Sequence, residues 1–129
     1  MNDCLFCGEE FRKNIICENK YWFAVYDQYP VSKGHVLIIP KRHISSIFHI
    51  HIEWIWLLPF IKQIRRIVVD KFQPDSFNIG INDGLEAGQT IPHLHIHLIP
   101  RYKNDEGLPC GVRNIFPSNL ADYTKVINN

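Results

Sequence analysis

The segment His93-Leu94-His95-Ile96-His97-Leu98-Ile99 alternates imidazole and aliphatic side chains. A period of two belongs to the β-strand, whose side chains point to opposite faces in turn. The spacing predicts a strand over 92–99 with His93, His95 and His97 on one face and Leu94, Ile96 and Leu98 on the other. Three aligned imidazoles need three partners, and they titrate near neutral pH. Chance alternation in a half-buried strand, a metal held by all three rings, or a catalytic site would each account for the pattern.

The chain has 129 residues, 46% apolar and 21% charged, with a formal net charge of +1. That suits one globular domain, expected over 1–129 with an irregular segment from about residue 101. The balanced charge supplies no global field for nucleic acid or an anionic membrane, so an anionic ligand must be held by local groups. Met1 to Cys4 lacks the basic-then-apolar pattern of a signal peptide. The apolar region Ile50 to Ile61 contains His51, Glu53 and Pro59 and is too short to span a bilayer. The expectation is a cytoplasmic protein with no membrane partner, whose four cysteines are thiols or metal ligands rather than disulfides.

Strands are predicted over 15–18, 21–26, 35–39, 77–82 and 92–99, with a turn at Asn19-Lys20 and a stop at Pro40. Glu53 to Phe72 has helical spacing, with Trp54, Leu57, Leu58, Ile61, Ile64, Ile67 and Val68 on one broad stripe. Pro59 predicts a kink there or a helix that restarts. The sum is an α+β fold with an antiparallel sheet of about five strands, one main helix and a short one.

Upstream of the histidines lies Asn82-Asp83-Gly84-Leu85-Glu86-Ala87-Gly88-Gln89-Thr90. Glycines followed by a hydroxyl let backbone N–H groups approach an anion. Together with the histidine strand this reads as a phosphate site with an imidazole nucleophile. Gly88-Gln89-Thr90-Ile91-Pro92-His93-Leu94-His95-Ile96-His97-Leu98-Ile99-Pro100-Arg101 resembles the signature of the histidine-triad (HIT) superfamily, His-x-His-x-His followed by two apolar residues. Gly34-His35-Val36-Leu37-Ile38-Ile39-Pro40-Lys41-Arg42-His43 resembles the family's other recognisable segment.

The resemblance implies a HIT meander, usually homodimeric, that attacks the α-phosphorus of a nucleotide. By it, His95 is the nucleophile and forms a nucleotidyl-histidine, with its tautomer fixed by the His93 carbonyl. His97 holds the phosphate and helps proton transfer, and His35 is a further active-site histidine. Asn82, Gly88, Gln89 and Thr90 fall at phosphate-loop positions. Asp27 falls where a carboxylate takes the ribose hydroxyls, and Phe6 and Val25 are candidate walls of a base cleft.

Cys4-Leu5-Phe6-Cys7 is half a zinc knuckle or a pair of free thiols. Bacterial-type HIT proteins complete such a knuckle with two histidines, and the matching positions here are His43 and His93. The resemblance thus implies a closed, structural Zn²⁺ site of Cys4, Cys7, His43 and His93. His49 and His51 read as surface or capping residues, and Cys17 and Cys110 as free thiols. Lys41-Arg42 and Arg101-Tyr102-Lys103 read as solvated surface. Gly111-Val112-Arg113 is similar to a segment of diadenosine-polyphosphate-hydrolase-like members, with Cys110 replacing a glycine.

The expected substrate is a dinucleoside polyphosphate, with Mg²⁺ travelling on it, or a nucleoside phosphoramidate. The rivals are a non-catalytic nucleotide-binding protein and a metallohydrolase that uses the three histidines as ligands. Without a basic extension or a further domain, no nucleic-acid role is expected.

Overall fold

Strands β2 (Trp22–Tyr26) and β3 (Val36–Pro40) are almost continuously apolar and buried, rather than alternating. Such strands need cover on both faces, and the fold supplies it. The structure is a computed structural model describing residues 4–103, 105 and 111. Its single antiparallel sheet has the order β1-β2-β3-β5-β4, completed by β1 (Cys17–Glu18), β4 (Ser76–Ile81) and β5 (Ile96–Arg101).

Over one face lies α2 (Glu53–Phe72), whose Leu57, Phe60, Ile64 and Val68 pack on Trp22, Ala24, Ile38, Ile96 and Leu98. The other face is covered in part by the N-terminal segment. There Phe6 and the short helix α1 (Glu9–Arg12) meet Phe23, Val25, Leu37 and Ile39. In register, Leu37 of β3 opposes His97 of β5. His97 therefore sits on the face of the N-terminal segment, away from α2.

The long helix has the predicted bounds, but not the predicted break or face. It runs continuously through Pro59, which lies on the exposed side. There water can satisfy the Ile55 carbonyl that a proline cannot. Of the expected stripe, Trp54 and Leu58 are exposed, while Phe60 and Glu53 are buried in their place. The buried stripe steps by three or four from 53 to 68, so it is narrower than hydrophobicity alone suggests.

Strand β5 starts at Ile96, not near Pro92. The Leu94 N–H leaves the ladder for the Ile44 carbonyl at 2.7 Å, and the His93 N–H turns back to Ile91 at 2.8 Å. Strand β1 is likewise shorter than expected, although the Ile16 N–H still reaches the Ala24 carbonyl. Gly34, at φ +88°, turns the chain into β3 where a Cβ would stand 2.7 Å from the Phe72 ring.

Arg42, expected as solvated surface, carries structural weight. Its guanidinium grips the buried Glu53 at 3.0 and 3.4 Å, while the His51 N–H donates to the same carboxylate at 2.8 Å. Arg101 likewise binds Asp105 and Asn78. His49 and His51 are exposed, as expected, and Cys17 is half-buried with its sulfur 3.0 Å from the Gln63 amide. Cys110 and Arg113 lie outside the described residues. No described helix is long and apolar enough to cross a membrane.

The Arg42 contacts, aided by the His51 amide and opposed by burial, hold the Glu53 carboxyl at about 2. Its folded value lies below its unfolded value, so the stabilisation is present above about pH 5 and is lost as pH falls towards 2. Urea unfolding at pH 7 and pH 3 should show Glu53→Gln costing on the order of 2–3 kcal/mol at pH 7 and roughly half as much at pH 3. Equal losses at both pH values would refute this account.

Candidate active site and metal centre

Four potential ligands converge beside the start of β5. The Sγ atoms of Cys4 and Cys7 and one ring nitrogen each of His43 and His93 lie within 4.8 Å of one another. His93 Nδ1 is 3.3 Å from Cys4 Sγ and 3.5 Å from Cys7 Sγ, and His43 Nδ1 is 3.3 Å from Cys7 Sγ. A tetrahedral zinc with bonds of about 2.3 Å to sulfur and 2.0–2.1 Å to nitrogen places S and N about 3.5 Å apart. The donor set fits that ion.

Protonation fits as well. The Pro40 carbonyl accepts from His93 Nε2–H at 2.8 Å, so Nδ1 turns a lone pair towards both sulfurs. Burial holds His93 down at about 4, keeping the ring neutral. Burial also raises the Cys4 thiol, and a divalent cation is what returns such a thiol to thiolate.

A second group, Asp27, His35 and His97, is equally close-packed. Its hydrogen bonds run the opposite way. The Val31 N–H donates to His35 Nδ1 at 3.2 Å, so the neutral ring carries its proton on Nε2. That proton faces His97 Nδ1 at 2.9 Å and Asp27 Oδ2 at 3.4 Å. A metal on His35 Nε2 would force Nδ1–H against the Val31 N–H. This group is therefore a proton-ordered network and a poor metal cage.

The network fixes the rings that matter. His97 accepts at Nδ1 and so carries its proton on Nε2. Burial pushes His97 to about 4, with His95 and His35 adding to the effect and Asp27 opposing it. His35 is also lowered by burial, against the pull of Asp27. Both rings are thus neutral at pH 7. His95 Nδ1–H donates to the His93 carbonyl at 2.9 Å, leaving the Nε2 lone pair free.

Beside these rings is a cleft of about 310 Å³, lined by Phe6, Asp27, Leu37, Thr90, His95 and His97 among others. A neighbouring hollow shares Asp27 and includes Val25 and Asn14. Exposed Leu5 and Tyr29 line the cleft as well, and sequence reasoning had not marked them. The result is an apolar slot with a carboxylate on its wall and, beside it, one imidazole lone pair and one imidazole N–H.

The 82–90 loop reaches the cleft through Thr90. The N–H groups of Ala87 and Gln89 donate to the Gly84 carbonyl and that of Gly88 to Leu85. Gly88, at φ +93°, permits this tight winding. The Gln89 side chain is also spent, accepting from the Gly84 N–H and donating to the Ser45 and Ile91 carbonyls. Thr90 lines the cleft, and Asn82 Nδ2 lies beside Gly88.

The HIT domain family matches residues 9–104. The chain belongs to the HIT domain family. A HIT-like protein of Mycoplasma pneumoniae is 32% identical over 116 residues, covering 87% of this chain and 81% of that protein. A bis(5'-adenosyl)-triphosphatase of Saccharomyces cerevisiae is 36% identical over 95 residues, covering 70% of this chain and 45% of the yeast protein. Among solved structures, a Zn-bound histidine triad family protein of Mycobacterium smegmatis superposes with a TM-score of 0.70 at 30% identity. That match covers 84% of this HIT chain and 82% of the other.

The hydrogen-bond pattern fixes three tautomers that ¹⁵N NMR can read. At pH 6.5 His35 and His97 should be neutral Nε2–H rings, and the neutral form of His95 should carry its proton on Nδ1. A His97 protonated on Nδ1, or charged at that pH, would break the scheme.

Proposed function

We propose that this HIT protein hydrolyses a nucleotide at its α-phosphorus through a nucleotidyl intermediate on His95. One observation carries the reading: the His93 carbonyl accepts from His95 Nδ1–H, leaving the Nε2 lone pair free on a ring that lines the same cleft as His97. In the first step the Nε2 lone pair attacks phosphorus, the P–N bond forms and the P–O bond to the leaving group breaks. The ring becomes an imidazolium whose Nδ1–H is held by the His93 carbonyl. Water then attacks phosphorus and releases a proton to solvent, the electron pair of the P–N bond returns to Nε2, and the mononucleotide leaves as its anion.

His97 Nε2–H donates to a phosphoryl oxygen, so its neutral, pre-ordered state acts without reorganisation. His35 holds that state in place. Asp27 accepts from the ribose hydroxyls with the lone pairs left beside its bond from the Tyr29 N–H. The base lies against Phe6, with Val25 behind it. Asn82, Gly88 and Thr90 border the phosphates, and Gln89 serves by bracing their loop. The favoured substrate is a dinucleoside polyphosphate, in keeping with the yeast relative's name, with Mg²⁺ carried on the polyphosphate. A phosphoramidate would react at the same atoms. Zn²⁺ fits Cys4, Cys7, His43 and His93, where it ties the N-terminus to the approach to β5.

The protein acts as one domain and as a homodimer. Exposed Ile79 and Ile81 of β4 oppose Leu98 and Ile96, so they lie on the helix side of the sheet. Trp54, Ile55 and Leu58 of α2 are also exposed. These residues and the outer edge of β4 offer exposed apolar surface and unpaired backbone that a second copy can cover isologously.

Incubating a panel of adenosine and guanosine polyphosphates and phosphoramidates with the wild type should release mononucleotide. His95→Ala should lose activity by at least about 10³-fold while still binding zinc by metal analysis. An alkaline quench should trap a nucleotidyl group on His95. Turnover without any adduct, or activity surviving in His95→Ala, would sink this mechanism. For assembly, light scattering should find a dimer in the wild type and a folded monomer in Ile79→Asp/Leu58→Glu; a wild-type monomer would refute the dimer.

A further inference from the structure

The segment after His43 holds on to both halves of the site. The Ile44 carbonyl accepts from the Leu94 N–H, between His93 and His95. The Ser45 carbonyl accepts from Gln89 Nε2 at 2.9 Å. Ser46 Oγ donates to Asp83 at 2.8 Å, and the Ile47 N–H donates to the same carboxylate at 2.9 Å. Consecutive residues downstream of one metal-site histidine thus grip the 82–90 loop and the peptide beside the other.

That loop has little else to hold it. Gly84 and Gly88 adopt positive φ, and the N–H groups of Ala87, Gly88 and Gln89 bond within the loop itself. Among the described residues, the side-chain anchors that leave the loop for another part of the fold are Asp83 and Gln89, and both end on Ser45–Ile47. His43 itself is exposed, and its described side-chain contacts are with Cys7 and His93. His43 adjoins the base on which the clasp closes, whose Ile44 is buried in the core and whose Ile47 packs against it.

We propose that Asp83 and Gln89 are positioning residues: a clasp through which metal occupancy at Cys4, Cys7, His43 and His93 sets the geometry of the phosphate loop. The inference rests on the nucleotide reading for what the loop does, but the coupling itself is between the metal and the loop. Linkage makes it reciprocal: whatever loosens the clasp must also weaken the metal.

The test uses the full chain, with zinc as one probe and AMP as the other. Zinc affinity comes from chelator competition, and loop order from hydrogen exchange at Ala87, Gly88 and Gln89. Removing zinc from the wild type should speed exchange at these amides about fivefold or more. Asp83→Ala with zinc bound should already exchange at the faster rate. Its zinc affinity should fall by a similar factor although no ligand has changed, and Asp83→Asn, which keeps an acceptor for the Ile47 N–H, should recover part of both.

AMP affinity should depend on zinc in the wild type and be weak and zinc-independent in Asp83→Ala. If the zinc-free chain unfolds, the comparison of zinc-loaded wild type with zinc-loaded Asp83→Ala decides. Unchanged zinc affinity together with unchanged loop exchange in Asp83→Ala overturns the proposal, as does a chain that takes up no zinc. Loop order that follows zinc while AMP binds to no form would uphold the coupling and defeat the nucleotide reading.

Discussion

The hydrogen bond from His93 Nε2–H to the Pro40 carbonyl, at 2.8 Å in a buried setting, sets the arrangement of everything beside it. It ties the end of β3 to the approach to β5. It also decides the tautomer of His93 and so aims Nδ1 at the two cysteines. With the ring and its backbone fixed, the His93 carbonyl is placed to accept from His95 Nδ1–H. One residue thereby orders two sites, the candidate metal centre through its side chain and the candidate nucleophile through its main chain. Without the Pro40 bond, a buried neutral ring would have an unmet donor, a cost of about 1–3 kcal/mol.

The two close-packed histidine groups differ in one polar partner each, and that partner separates their chemistry. Behind His93 stands a carbonyl, which accepts and leaves a ligand-ready lone pair at the far nitrogen. Behind His35 stands the Val31 N–H, which donates and leaves a proton at the far nitrogen. Proximity of ligating atoms alone would rank the groups together. The hydrogen bond behind each ring leaves one group able to take a cation and makes the other a chain of N–H donors that ends on His97.

Much of this could be read in the chain. The helix bounds, five strands, the cysteine knuckle and the histidine segment all follow from local patterns, and the resemblance joined Cys4 and Cys7 to His43 and His93. What escaped reading was long-range. Ser46 and Asp83 are far apart in sequence, and neither lies in a recognisable pattern. Arg42 looked like surface because its partner Glu53 opens a helix that reads as amphipathic from Trp54 onward. Trp54 and Leu58 looked like core because hydrophobicity cannot distinguish a face turned to the sheet from one left exposed at its edge. The alternation over 92–99 continues through His93, while the hydrogen bonds there depart to Ile44 and Ile91, so the strand begins only at Ile96.

The knuckle also bears on how a cleft forms on the sheet face that, among the described residues, the N-terminal segment covers in part. Phe6 lies between Cys4 and Cys7 in sequence, and its buried ring stands edge-on to His93 at 5.7 Å and to His95 at 5.1 Å. Arg12, on the following turn, donates to the Phe6 carbonyl at 3.0 Å and to the Lys41 carbonyl at 2.7 Å, stitching the same segment to the end of β3. A segment this short has too little apolar surface to hold its place by burial alone. A metal held at both ends of the Phe6 turn would hold the wall of the cleft against the candidate nucleophile, so filling that site would also fix an apolar surface beside His95.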